Sequence, residues 1–125
     1  MIQFIVRAYD GEGQLPKRME VRPRHFENME RMKEHVVCAG GMLDEEGKMI
    51  GSLLVMEFES REQLDEYLAS EPYVVEQVWE RIEVERMNVV ILDKEIIKER
   101  VGERSSSTSE AAKPSAGIQL QQETL

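Results

Sequence analysis

The sequence predicts an α+β fold, a two-layer sandwich in which helices lie on a four-stranded antiparallel sheet. Three observations carry this expectation. Segments rich in β-formers alternate with segments at helical spacing in the order βαββαβ. A short polar turn joins the two middle strands as a hairpin, which makes that pair antiparallel. Of the 125 residues, the stretch 1–93 carries the pattern of one core, while 94–125 does not. Together these features fit a ferredoxin-like sandwich.

Ile2 to Tyr9 is a first strand, ended by the turn signal Asp10-Gly11. Glu12 to Val21 reads as a polar loop. Pro23 suits the first turn of a helix, where its missing N–H costs nothing. Phe26, Met29, Lys33 and Val36-Val37 follow at helical spacing, the lysine being the one polar break in the stripe. Ala39-Gly40-Gly41 should stop that helix, with a second strand overlapping it from Val37 to Leu43. Asp44-Glu45-Glu46-Gly47 is a hairpin loop, and Ile50 to Phe58 is the strongest strand of the chain. Both faces of that strand are apolar, so both should be covered. Helices of one chain reach only one of them, and a homodimer would cover the other.

Ser60 is a good N-cap, with Gln63 at the capping-box position of a helix over Arg61 to Ala69. Leu64, Tyr67 and Leu68 form its buried stripe. Ser70-Glu71-Pro72-Tyr73 breaks the helix, Val74 to Trp79 reads as a short second helical piece, and Arg81 to Leu92 reads as the last strand. From Lys94 the pattern fades. Glu95 to Val101 could extend as a helix, and the polar stretch beyond about residue 104 reads as disordered.

Composition narrows the function. Sixteen Lys and Arg against 25 Asp and Glu give a net charge of −9, which disfavours nucleic acid and anionic membranes as partners. No apolar run has the length of a membrane span, and the N-terminal stretch lacks the basic start of a signal peptide. The single cysteine, Cys38, allows no internal disulfide and suits a reducing compartment, so a cytoplasmic location is expected. In its apolar stretch Cys38 reads as a small hydrophobe.

Few residues remain that could do chemistry. His25, just after Arg22-Pro23, is one of two histidines and titrates near neutral pH, so it is the natural base for proton transfer. His35, near the end of the same helix, reads as structural, since a cation there suits the helix dipole. Arg22 could bind an anionic group, Ser52 could donate to a ligand, and Tyr73 pairs an apolar ring with a polar tip. Gly40 and Gly41 would let the chain turn tightly or let a ligand approach. No phosphate-loop motif occurs, and two histidines ten residues apart with no cysteine pair make no metal site, so no metal or cofactor is expected.

Four marks in order, Arg22-Pro23-x-His25, Ala39-Gly40-Gly41, Gly51-Ser52 and Glu71-Pro72-Tyr73-Val74, resemble the YciI-like (YCII-related) family over about residues 1–92. The resemblance implies a ferredoxin-like fold that dimerises through its sheets, a dimeric α/β barrel, with a pocket between sheet and helices. It also implies a dyad of a histidine and an acid, which fall here on His25 and Glu71. The family's usual acid is Asp; Glu adds a methylene and changes the reach to His25. The family often has Ala-Gly-Pro where this chain has Ala39-Gly40-Gly41. Related proteins carry out cofactor-free elimination or isomerisation on cyclic, often phenolic, compounds. The expected function is a lyase- or isomerase-like proton transfer, with His25 and Glu71 catalytic and Arg22, Ser52, Tyr73 and Gly40 at the substrate. The alternative is a non-catalytic dimeric module that binds a small molecule or a protein. Asp44 is the second choice of acid.

Overall fold

A computed structural model describes residues 1–97. The strand segments build one four-stranded antiparallel sheet from β1 (Ile2–Asp10), β2 (Val36–Leu43), β3 (Met49–Phe58) and β4 (Trp79–Met87), in the spatial order β2-β3-β1-β4. Among the described residues three α-helices accompany it, α1 (Leu15–Arg31), α2 (Arg61–Ser70) and the single turn α3 (Pro72–Val75), with one 3-10 turn at Lys33–His35. This is the ferredoxin-like arrangement the element order predicts. A small hairpin, β5 (Ile91–Leu92) with β6 (Glu95–Ile96), follows β4. Residues 98–125, and with them the disorder expected beyond about 104, lie outside the described residues.

The period-2 alternation of the strands decides the layers. Phe4, Val6 and Ala8 of β1 and Leu54, Met56 and Phe58 of β3 all turn to the helices and are buried with Val21, Leu64, Tyr67 and Tyr73. Each large apolar side chain fully buried in this layer contributes about 1.5–3 kcal/mol. The other face of the sheet carries Ile5, Leu53 and Val55 beside charged pairs such as Arg7–Glu85 at 3.3 Å. Helices therefore cover one face only. Among the described residues no helix is long and apolar enough to cross a membrane.

Several local expectations are corrected. Helix α1 ends at Arg31 and not at Ala39-Gly40-Gly41, which lie inside β2. The second helical piece is Pro72–Val75, with Trp79 opening β4. Glu12 to Val21 is not a loop: α1 begins at Leu15, with Pro16 in its first turn, and Pro23 lies inside the helix. An interior proline removes one backbone hydrogen bond and costs about 3 kcal/mol. Tertiary packing of the helix outweighs it, because Arg18, Val21, His25 and Asn28 bury one face on both sides of Pro23. The buried stripe is thus more polar than the Phe26–Met29–Lys33 pattern, and Phe26 is 52% exposed. The last strand ends at Met87, since Val89 to Leu92 leave the sheet, Val89 N–H donating to Gln3 Oε1. Glu95-Ile96 is a strand of the small hairpin rather than the start of a helix.

The capping signals hold. Ser60 Oγ accepts from Gln63 N–H, while Gln63 Oε1 reaches back to Glu59 N–H. Asp44 closes its hairpin by accepting from the N–H groups of Glu46 and Lys48, and these backbone donors hold its carboxyl below the ordinary range. That turn role, on an exposed loop, takes Asp44 out of consideration as a catalytic acid.

Gly51 sits in the middle of the sheet opposite Tyr9 on β1 and Met42 on β2. A Cβ there would run into the Ala8 carbonyl oxygen and the end of the Met42 side chain. Gly51→Ala should therefore lower stability by about 1–3 kcal/mol, as overpacking does. Urea denaturation followed by circular dichroism checks this; an unchanged midpoint would contradict the close approach.

Candidate functional site

The site is assembled where α1, α2 and α3 meet. Glu71 is the residue between α2 and α3, and its side chain is fully buried. Local sequence explains its place: Pro72 cannot continue α2, so α3 restarts, and Glu71 becomes the N-cap whose carboxylate accepts from Tyr73 N–H at 3.2 Å. Two further groups reach the same carboxylate. Tyr67, one turn earlier on α2, donates its hydroxyl to Oε1. His25 Nδ1 lies 2.6 Å from Oε2. The extra methylene of Glu relative to Asp does not keep the two apart.

A buried carboxylate is tolerated only when its lone pairs are met, and here three donors converge on it. Burial and the neighbouring Glu71 charge push the Tyr67 hydroxyl well above its ordinary range, so it stays a donor. Because the Tyr73 N–H already fixes Oε2 as an acceptor, His25 donates through Nδ1. A neutral imidazole so oriented leaves Nε2 as its free acceptor, and among the described residues no protein group bonds that atom.

His25 also lines a cavity of about 540 Å³ between α1 and the β2–β3 edge of the sheet. Its ring stacks on Tyr73 with centroids 4.2 Å apart. Arg22, Ser52, Tyr73 and Gly40 line the same cavity, so the site residues named from sequence face one space, with Glu71 behind His25. Gly40 leaves open space where a side chain would stand. The guanidinium of Arg22 lies over the Phe26 ring at 4.8 Å. Burial raises the Tyr73 hydroxyl above its ordinary value, opposed by the cations Arg18 and Arg22.

Sequence reasoning missed Arg18, which is almost wholly buried and lines the cavity. Its Nη1 donates to both oxygens of Asp10 at 2.9 and 3.0 Å, and its Nη2 donates to Ser52 Oγ at 2.7 Å. Burial raises the Asp10 carboxyl, with Arg18 pulling the other way. The signal existed: from a helix starting at Pro16, positions 18, 21, 22 and 25 share one face. Placing the helix start at Pro23 hid it. His35 lies outside the cavity, its Nδ1 2.9 Å from the Glu57 carbonyl and its ring stacked on Phe58. Cys38 is exposed on β2 rather than buried.

Tyr67→Phe removes one donor from the buried carboxylate and should cost about 1–3 kcal/mol at neutral pH. The raised native pKa of Tyr67 sets the sign of the pH dependence. The stability it confers is complete below the unfolded value of about 10 and falls as pH rises above it. The wild-type advantage over Tyr67→Phe should thus shrink above about pH 10, measured by denaturation at stepped pH; a constant gap would contradict this.

With this geometry established, the chain can be set beside known proteins. A family model described as the YCII-related domain matches residues 2–88. Aspercryptin biosynthesis cluster protein B of Emericella nidulans is 33% identical over 87 residues, covering 62% of this chain and 56% of that protein. The chain therefore spans little more than half the length of this relative. Among solved structures, 5-chloro-2-hydroxyhydroquinone dehydrochlorinase from Burkholderia phenoliruptrix, in complex with 2,5-dihydroxybenzoquinone, is similar with a TM-score of 0.63 at 25% identity. The match covers 67% of this chain and 91% of that one. The family match over most of the described residues, on the ferredoxin-like topology found here, places the chain in the YCII-related family.

Proposed function

We propose that the cavity is the active site of a cofactor-independent enzyme that moves a proton on a small cyclic compound, in a lyase- or isomerase-like reaction. The observation that carries the reading is the 2.6 Å contact between His25 Nδ1 and a fully buried Glu71, with the imidazole lining a cavity of substrate size. His25 takes the proton at Nε2. Glu71 holds the ring in one tautomer and balances the positive charge that follows, a role a carboxylate fills when it is buried and hydrogen-bonded to Nδ1. Phe26, half exposed at the cavity, offers aromatic surface to a planar ring. Tyr73 backs the wall beneath His25 and Arg18, and Arg22, Ser52 and Gly40 hold or admit substituents. The similarity to a dehydrochlorinase crystallised with a dihydroxybenzoquinone supports a ring of that kind.

A second copy of the chain covers the open sheet face in this reading. Ile5 and Leu53 lie there half-buried on neighbouring strands, beside the already buried Val55, and a two-fold pairing of sheets would bury them. The domain is then residues 1–93, with 94–125 as an extension.

Turnover is tested with 5-chloro-2-hydroxyhydroquinone, followed by chloride release, and with exchange of ring hydrogens into deuterated solvent. His25→Ala should lower the rate by about 10²–10⁴, the usual contribution of a positioned base, and Glu71→Gln should lower it by less. Equal rates in wild type and His25→Ala would remove His25 from catalysis. Tight binding of 2,5-dihydroxybenzoquinone with no turnover of any ring compound tried would favour the non-catalytic binding module. For the assembly, sedimentation equilibrium should give a dimer that Leu53→Glu dissociates; a wild-type monomer at high concentration would refute the pairing.

A further inference from the structure

Arg18, Asp10 and Ser52 form a second polar couple on the wall of the cavity that His25 lines. Arg18 stands two helical turns before His25 on α1, and the guanidinium carbon lies 4.7 Å from the centroid of the Tyr73 ring on which His25 stacks. The Ser52 oxygen accepts a charge-assisted bond of 2.7 Å from Arg18 Nη2. Its own hydrogen must therefore turn away from the guanidinium, and no described residue accepts it. A hydroxyl whose oxygen is bound to a full cation is a stronger donor than a free serine. Asp10 offsets the charge that would otherwise make a buried arginine costly. Among the described residues no ion pair engages Arg22, which brings a second cation to the same wall.

We propose that Ser52, held by Arg18, is the hydroxyl donor that binds a negatively charged oxygen of the substrate, with Arg18 and Asp10 as positioning residues. This rests on the reading of the cavity as an active site. It names the class of compound the cavity takes: a carbonyl compound whose oxygen, conjugated with the reacting carbon, becomes an enolate or phenolate as the proton leaves. When a C–H bond breaks and its proton passes to His25 Nε2, the electron pair spreads onto that oxygen, and Ser52 O–H donates to it. Donors arranged in advance for developing charge in a water-poor site are a large source of rate. The base and the oxyanion donor would then meet the substrate from two sides of the wall that the buried Tyr73 ring supports.

The probe is 4-nitrophenol, whose visible band reports the bound phenolate directly and needs no turnover. Near the pH where the free probe is half ionised, wild type should bind the phenolate in preference to the phenol. Ser52→Ala should reduce that preference by about tenfold or more, as loss of a bond to a charged group does. Asp10→Asn should shift it the opposite way, because Arg18 keeps a partner but loses the charge that offsets it. Mere damage to the fold would weaken both variants alike. His25→Ala should keep the Ser52 dependence, so failure of the base assignment and failure of this one are read separately. A wild type that binds the neutral phenol as well as the phenolate, or binds neither, overturns the proposal. So does a preference unmoved by Ser52→Ala, or Ser52→Ala and Asp10→Asn shifting it in the same direction.

Discussion

The satisfaction of one buried carboxylate organises this molecule. Glu71 is fully buried, and each helix sends a donor to it: Tyr67 from α2, the Tyr73 N–H from α3 and His25 from α1. Leaving any of these donors out would strand an acceptor in an apolar layer, at the cost of an unmade hydrogen bond in low dielectric. The same requirement fixes the relative placement of the three helices and the orientation of the histidine. Fold and candidate chemistry therefore share a cause, since the contact that seals the helix layer also aims the imidazole at the cavity.

A second charge couple repeats the logic nearer the sheet. Arg18 and Asp10 neutralise one another with their side chains almost wholly buried, and Arg18 uses a remaining N–H to hold Ser52. Tyr73 lies between the two couples, stacked on His25 and under Arg18. The cavity wall thus has an aromatic middle flanked by polar ends.

Much of the fold was legible because the strands obey a period of two and the turns carry their own chemistry. Asp44-Glu45-Glu46-Gly47, Ser60 with Gln63, and Pro72 each acted locally as their residue types require. The start of α1 was not legible in the same way. From sequence the first turn falls to Pro23 and Pro16 lies in a loop, whereas Pro16 holds the first turn; the choice depends on tertiary packing, which no local rule contains. That one misplacement also explains why Arg18 was missed and why Phe26 was expected inside. The buried face of α1 is polar because its residues serve one another's charges and lone pairs, and an apolar stripe is the wrong signal for such a face. Glu71 could be singled out only through the family resemblance, since one acid among 25 acidic residues looks like any other until its three donors are seen.

The central claim is that Glu71 fixes His25 with its proton on Nδ1, leaving Nε2 free to accept one. Nitrogen-15 NMR of the neutral imidazole tests this directly, because the two ring nitrogens give distinct shifts when one bears the hydrogen. The account predicts that His25 is protonated at Nδ1 in the native wild type. A neutral His25 found with its hydrogen on Nε2 would contradict it, for the ring would then present a donor rather than a base to the cavity.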